Sequence, residues 1–378
     1  MVLADAIRSD YEVFFATGER YAHLVKTRDL EYRRVWTTPA DIVTYRLAKG
    51  QDAWTPEDFY HHVQDDLATI KETRPDLVVG DLRLSLGISS EIAKVPYVSL
   101  INAHWSPYYT RIPPPPELPF VRILGVKLST LLMPRFGPLI LRKLAIPFNV
   151  ARKKYGLSPV AEYRQVFTCA TWVYYLDTPT LEPTRDAPAN HKYLGPVFWS
   201  PDVSLPDWWG RLPTDRPVAY VAMGSTGKIT FVTDIVDEIA RMDMSVMLAT
   251  STRFDPKGLP RNVFAAEYLP GIDACKRSAF IVCNGGTGAI YQAICSGTPI
   301  LGIPTNGDQY FAMGAAREQN AGLLVRSTHV TKRRIRNAVS WLMSDPKFAG
   351  ACRRLQKEVS DYEAVGRFRR FVGALLQK

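Results

Sequence analysis

The sequence predicts a doubly wound α/β fold in two halves, and three observations carry that prediction. Short apolar runs alternate with stretches of helical period along most of the chain, the pattern of parallel strands joined by crossover helices. Two glycine turns, Gly224-Ser225-Thr226-Gly227 and Asn284-Gly285-Gly286-Thr287-Gly288, each stand between an apolar run and a helical stretch. A segment over 179–217, rich in Pro, Asp and Trp, reads as an ordered irregular connection and places the domain boundary. At 378 residues the chain is too long for one ordinary core and fits two domains of moderate size.

In the first half, residues 1–8 read as the end of a helix and 11–16 (YEVFFA) as an apolar strand. A doubly wound sheet that lacks a central strand ahead of this helix leaves its neighbours with unpaired edges. The expectation is therefore a start set too late or a truncation with loss of activity. A strand over 32–36 is followed by a polar loop and a helix over 56–72, where Phe59, Val63, Leu67 and Ile70 share one face. Residues 76–80 read as a parallel strand with Asp81 and Arg83 at its carboxyl end, where open α/β sheets place ligands. Asp81 is a candidate for catalysis, or for capping a helix that begins near Leu84. The strand over 97–101 ends in an aromatic cluster, Trp105, Tyr108 and Tyr109, with His104 among them. A histidine titrates in the working range of a general base, so His104 is the candidate acceptor base, against a structural, hydrogen-bonded role. The cluster and Pro113 to Pro116 suggest a wall for an acceptor. From Leu118 to Ala161 there is no acidic residue, while Arg122, Lys127, Arg135, Arg142, Lys143, Arg152, Lys153 and Lys154 stand among apolar residues. That mixture suits an anionic membrane surface, and equally a packed helix with a solvated face. A helix over 163–167 and a strand over 172–176 close this half.

The second half opens with a buried strand over 218–223, and its Gly224-Ser225 turn precedes a helix starting near Thr230. Strands follow over 246–249 and 263–267, the latter running into Tyr268 and Leu269. An apolar run ending at Cys283, the second glycine turn and a helix to Cys295 come next. Glycine lets backbone amides approach a ligand, and the first helical turn offers unpaired N–H groups and the positive end of a dipole. Gly297 and Pro299 end that helix, 300–303 is a second buried strand, and Asn306-Gly307-Asp308-Gln309 form a polar turn. A last strand over 323–326 and helices over 330–343, 345–360 and 362–376 complete the chain.

The net charge of +10 is compatible with an anionic ligand, anionic lipid or nucleic acid, or with a solvated basic surface. Nucleic acid is disfavoured because no aromatic residues interleave along a sheet and no known module is present. The five cysteines are scattered in apolar runs with no metal-ligand spacing, which reads as buried thiols of a reducing cytoplasm. Neither a signal peptide nor an uninterrupted apolar span of membrane length is expected. A P-loop is excluded by the lack of GxxxxGK[ST], and a Rossmann oxidoreductase is the weaker alternative because GxGxxG with a downstream acid is lacking.

The stretch from Asn284 to Gln309 resembles the nucleotide-sugar signature of family 1 glycosyltransferases, HGGxGTxxEAxxxGxPxxxxPxxxDQ. It departs from that signature at Asn284 (for His), Ala289 (for Thr) and Gln292 (for Glu). The bacterial type, with macrolide glycosyltransferases, is also resembled through Tyr193-Leu194-Gly195-Pro196 and the Trp208-Trp209 pair. The resemblance implies a GT-B fold, two Rossmann-like domains facing each other, here with the first lacking its N-terminal strand. It implies an acceptor-binding domain over 1–200, a nucleotide-sugar-binding domain over 217–358, and a helix over 359–378 crossing back to the first domain. Its activity would be inverting, metal-independent transfer of a hexose from a UDP- or dTDP-sugar to a hydroxyl of a small hydrophobic or lipidic acceptor, with no cofactor. Gly285, Gly286, Thr287 and Gly288, with Gly224 and Ser225, would hold the diphosphate, and Asn284 would donate to it. Tyr268 would stack on the base and the Leu269 main chain would read its edge. Gln292 would contact ribose, and Asp308 with Gln309 the sugar. The usual histidine base lies in a loop this sequence does not contain; in the family an Asp near the place of Asp81 orients it. The alternative is a catalytically inactive relative that binds nucleotide sugar or partners an active enzyme. The expected location is cytoplasmic, with peripheral contact at the inner membrane face through 118–161.

Overall fold

A computed structural model describes residues 1–48, 51–198, 203–224, 230–251, 254–255 and 258–376. The first half runs α1 (Val2–Ile7), β1 (Phe14–Thr17), α2 (Ala22–Lys26), β2 (Glu31–Arg34), α3 (Ala40–Ala48), α4 (Pro56–Thr73), β3 (Val78–Asp81), α5 (Leu86–Ala93), β4 (Tyr97–Ile101), α6 (Pro119–Leu144), α7 (Ile146–Lys154), α8 (Tyr163–Val166), β5 (Trp172–Tyr175) and β6 (His191–Tyr193). The second runs β7 (Val218–Ala222), α9 (Val232–Ala240), β8 (Ser245–Ala249), β9 (Val263–Ala266), α10 (Gly271–Lys276), β10 (Phe280–Cys283), α11 (Thr287–Cys295), β11 (Ile300–Gly302), α12 (Gly307–Glu318), β12 (Gly322–Leu324), α13 (Lys332–Ser344), α14 (Pro346–Ser360) and α15 (Ala364–Leu376).

In the second half one six-stranded parallel sheet has the order β12-β11-β10-β7-β8-β9. Its order reverses beside β7 and β10, so both glycine turns leave adjacent strands at the carboxyl edge, the usual ligand position in such sheets. Both faces are covered, one by a core around Ile235, Val246, Val282 and Val339, the other by a core around Met247, Ile281, Ile294 and Leu355. Burial on both faces explains why these strands read as continuous apolar runs.

The first half holds two parallel sheets, β3-β4-β5-β6 and β1-β2. Among the described residues no strand pairs the two sheets with each other. A shared core still ties them. Leu3 and Ile7 of α1 pack with Val98, Leu100 and Tyr174, and Val13 and Leu77 lie against the same cluster. On the opposite face Phe59, Val63, Ile88, Phe148 and Tyr175 form a second cluster. The helix α4 starts where it does because Thr55 and Asp58 close a reciprocal capping box and Pro56 fills the first turn.

Several elements depart from the sequence expectations. β6 lies inside the irregular connection and pairs with β5, adding a strand where none was expected. The polar loop after β2 contains α3, and α10 follows Pro270. The turn at Asn306 is a helix start: its side chain accepts from the Gln309 amide and caps α12. Asp81 caps nothing, since α5 starts at Leu86 behind Ser85. The segment over 119–154 is long and apolar enough to cross a membrane by length and composition, with only 11% of that window buried. Finally, α15 packs on the first half, with Phe368 and Val372 in the α1 core and Phe371 against Trp172 and Tyr174.

Candidate functional site

The second glycine turn pairs its own first amides, Gly285 N–H donating to Cys283 Sγ at 3.3 Å, and leads straight into a helix start. Gly285 has φ 74°, a left-handed conformation, and a Cβ there would stand 3.1 Å from Met313 Cβ, so only glycine fits without strain. The Gly286 amide donates to Asn284 Oδ1 at 3.0 Å, which folds the turn back and aims the next amides outward. Gly286 is the N-cap residue of α11, and no side chain caps that helix. The Thr287 hydroxyl is buried and has no hydrogen-bond partner. At Gly288 a Cβ would meet nothing within 4 Å, so the protein's own packing does not require glycine there. An uncapped helix start with an orphaned hydroxyl has the geometry and the dipole that suit an anion.

The first turn meets the second. Gly224, at φ 62° beyond β7, would place a Cβ 3.2 Å from Asn284 Nδ2. Ser225 lies outside the described residues. At the end of β9 the Tyr268 ring is 43% exposed, while the Leu269 side chain is core, leaving its main chain to face the edge. Gln292 lies over Gly271, where a Cβ would stand 2.4 Å from its Oε1, which brings the α11 amide side chain next to the Tyr268–Gly271 loop. Asn284, Gly285, Gly286, Thr287, Gly288, Gln292, Gly224, Tyr268 and Leu269 therefore gather along one carboxyl edge.

Asp308 and Gln309 sit in the first turn of α12 and part company. Gln309 is buried, and its Oε1 accepts from the Thr305 amide at 2.8 Å and the Thr305 hydroxyl at 2.9 Å, so its oxygen serves the turn. Asp308 faces the first domain. Its Oδ1 accepts from Trp105 Nε1 at 2.9 Å and pairs with His104 Nε2 at 3.0 Å. Burial opposes its charged form, but the His104 contact and the Trp105 N–H outweigh that and hold the carboxyl below its usual value.

His104, just past β4, is buried, with Nδ1 3.3 Å from Glu182 Oε1. Burial alone would lower its pKa, yet the Glu182 and Asp308 carboxylates raise it to about 10. The two carboxylates favour the imidazolium, with both ring nitrogens engaged. Asp81 lies at the end of β3, where its carboxylate faces the Met1 ammonium and makes no hydrogen bond to His104; the carboxylate on His104 Nδ1 is Glu182. Beside them Asp177 is fully buried and accepts from the Ala103 amide at 2.6 Å, Asn102 at 3.1 Å and the Tyr291 hydroxyl of α11 at 3.2 Å. Burial and the Glu182 charge push its pKa up to about 7.

Of the expected cluster Tyr109 meets His104 edge-on at 6.4 Å, Tyr108 meets His191 edge-on at 5.3 Å, and Trp105 joins other rings. Trp105 stacks on Phe167 at 4.8 Å, meets Tyr163 edge-on, and touches Phe311 of α12 at 5.6 Å. Glu182, Asp177, Tyr291 and Phe311 escaped sequence reasoning, since Tyr291 fills a variable position of the signature and the others stand outside it. A buried acid in an irregular segment leaves a signal only once its partner is known. Among the described residues no group of three metal-ligating side chains occurs.

Comparison with known proteins agrees with this fold. Residues 233–363 match the model of the erythromycin biosynthesis protein CIII-like C-terminal domain. A PGL/p-HBAD biosynthesis glycosyltransferase of Mycobacterium tuberculosis is 38% identical over 348 residues, covering 92% of this chain and 81% of the relative. An inactive PGL/p-HBAD biosynthesis glycosyltransferase of Mycobacterium bovis is 38% identical over 234 residues, 62% of this chain and 64% of the relative. Among solved structures, the calicheamicin glycosyltransferase CalG4 superposes with a TM-score of 0.73 at 18% identity, covering 100% of this chain and 94% of that one.

Proposed function

The chain belongs to the family 1-like GT-B glycosyltransferases, and from that premise we propose that it moves a sugar from a nucleoside diphosphate sugar to a hydroxyl of a hydrophobic, lipid-like acceptor with inversion at the anomeric carbon. The observation that carries this reading is the uncapped start of α11, with the orphaned Thr287 hydroxyl, beside the Gly224 turn. The amides of Thr287 and Gly288 take the diphosphate. Asn284 Nδ2 donates to it from between the two turns, Tyr268 stacks on the base, and Gln292 reaches the ribose. As the acceptor oxygen bonds to the anomeric carbon, the bond to the diphosphate breaks and its electron pair passes to a phosphate oxygen. That growing charge is met by fixed dipoles, so no metal is required.

The acceptor proton goes to His104. In the closed pair Asp308 occupies Nε2, and sugar hydroxyls compete for the same carboxylate. When they draw Asp308 away, His104 loses one of the two charges that raise its pKa and gives its Nε2 proton to solvent, and the neutral ring, still held by Glu182 on Nδ1, presents the Nε2 lone pair to the acceptor hydroxyl. Glu182 then orients the ring and stabilises the imidazolium that forms. Trp105, Phe167 and Tyr163 hold the apolar part of the acceptor. The M. tuberculosis relative, named for PGL/p-HBAD biosynthesis, supports a lipid-like acceptor.

Thermal melts with UDP, dTDP and their sugars test the donor half. A ligand at 100 times its dissociation constant adds about 2.7 kcal/mol. Release of nucleoside diphosphate on adding an alkyl-chain alcohol or phenol tests transfer. A melt that no nucleoside diphosphate shifts removes the donor reading; binding without turnover selects the inactive binder instead.

A further inference from the structure

The least explained surface of the molecule is α6. Over most of its length it turns apolar side chains to solvent: Ile123 is 84% exposed, Leu131 74%, Leu139 60%, Ile146 at the start of α7 55% and Phe136 49%. Only Val121, Ser129 and Gly137 are buried, so one narrow stripe holds the helix to the domain. An apolar patch of this extent on a soluble chain marks a binding surface. Its charge says what it binds. Arg122, Lys127, Arg135, Arg142 and Lys143 are all exposed along the same helix, and no acid occurs between Glu117 and Glu162. Arg152 does not belong to the set, because it is buried on Glu91 and on the Gly87 and Ser158 carbonyls.

We propose that α6 and the start of α7 form a docking surface for an anionic lipid bilayer, lying in the interface with the apolar side chains among the acyl chains and the basic ones at the headgroups. Apolar contact and attraction to anionic headgroups are the two terms that drive interfacial binding. The helix lies on the membrane and does not cross it, although its length and composition suffice for crossing. Its backbone leaves helical geometry at Gly125, with φ 75°, Pro134 and Pro138 interrupt it, and its basic residues are spread along the whole length, where a spanning helix would bury them in hydrocarbon. A second copy of this chain is a poor occupant, since two such faces would set like charges against each other with no acid to answer them.

The surface is continuous with the active cleft. Glu117, just ahead of α6, accepts from Tyr310 and Thr328 of the second domain, each at 2.8 Å, and α6 packs against α8, which carries Tyr163 of the aromatic wall. A lipid-borne hydroxyl would thus enter from the bilayer at the edge of the wall. That purpose rests on the lipid-acceptor reading; the surface itself is tested without turnover.

The test is co-sedimentation with phosphatidylglycerol and with phosphatidylcholine vesicles at low and moderate salt, for wild type and for the triple variant Ile123→Glu, Leu131→Glu, Leu139→Glu. These positions are exposed, and an unchanged melt with an unchanged shift by nucleoside diphosphate shows that fold and donor site are intact. The expected result is binding to phosphatidylglycerol vesicles that weakens as salt screens the basic residues, and at least about tenfold weaker partition of the variant. No binding to anionic vesicles, equal binding by the variant, or a concentration-dependent dimer that the variant abolishes would each overturn the proposal. A donor site that fails while vesicle binding persists would count against the transferase reading alone.

Discussion

At the scale of residues, the site turns on one imidazole shared by two carboxylates. His104 sits between Glu182 and Asp308, which come from different domains, and the pair of acids keeps it charged. Its folded pKa of about 10 lies above the ordinary histidine value of about 6.5, so its contribution to stability is complete below pH about 6.5 and is lost as the pH rises toward 10. The stability difference between wild type and His104→Gln in urea should therefore narrow from pH 6.5 to 10; a constant or widening difference contradicts the pairing. His104→Ala strands the buried Glu182 carboxylate and should cost about 3–5 kcal/mol, part of which Glu182→Gln restores in the double variant. For the reaction the same pairing predicts that kcat/KM rises toward alkaline pH, and that Glu182→Gln lowers kcat by about 10²–10⁴ while nucleoside diphosphate binding is unchanged. His104 was legible in the sequence as a candidate because it ends a strand among aromatic residues. Glu182 was not, since it lies 78 residues away in an irregular segment and only the fold brings them together.

At the scale of elements, the glycine turn before α11 was readable because every one of its residues answers a local need. A strand must stop, a left-handed residue must turn the chain, and a helix must start without a capping side chain. Gly285→Ala places a Cβ in the left-handed region against Met313 and should cost about 1–3 kcal/mol in a thermal or urea melt, with the donor site distorted. A cost near zero would mean that the turn adopts another geometry. The helix α12 was read as a turn because its polar first residues look like loop chemistry, although Asn306 is a capping residue and Ala312, Ala315 and Ala316 form its buried face. β6 was hidden by the prolines around it and is only three residues long, too short for an alternation to declare itself. The apolar and basic character of α6 was plain in the sequence; that it stands exposed was not, because composition does not distinguish a packed helix from an unpartnered one.

At the scale of the whole molecule, the two domains are joined by polar ties and by one returning helix. Arg326 pairs with Glu117 at 3.2 Å, Arg111 with Glu318, and the Thr178 amide donates to the Tyr291 hydroxyl at 3.0 Å. The helix α15 inserts Phe368, 1% exposed, into the core shared by α1, β4 and β5. Phe368→Ala should cost about 3–5 kcal/mol and loosen the first domain, whose sheet is split between β1 and β3, before the second. Hydrogen exchange would show it, with α1 and β4 losing protection ahead of β7 and β10; uniform loss would contradict this order. The two-domain plan was legible from the alternation of strands and helices and from the Trp- and Pro-rich connection. The mutual contact of the domains was not, because its residues are scattered single positions. The central claim is that the start of α11 holds a diphosphate. Isothermal titration of UDP and dTDP into wild type and Gly288→Val measures it most directly, since a Cβ there meets no described atom outside its own helix within 4 Å, and an unchanged thermal melt of the variant shows that the fold is intact. The account predicts that wild type binds at least one of the two and that the variant binds it at least ~tenfold more weakly, a difference of about 1.4 kcal/mol. Equal binding by the two proteins, or no binding of either nucleotide by wild type, would contradict it.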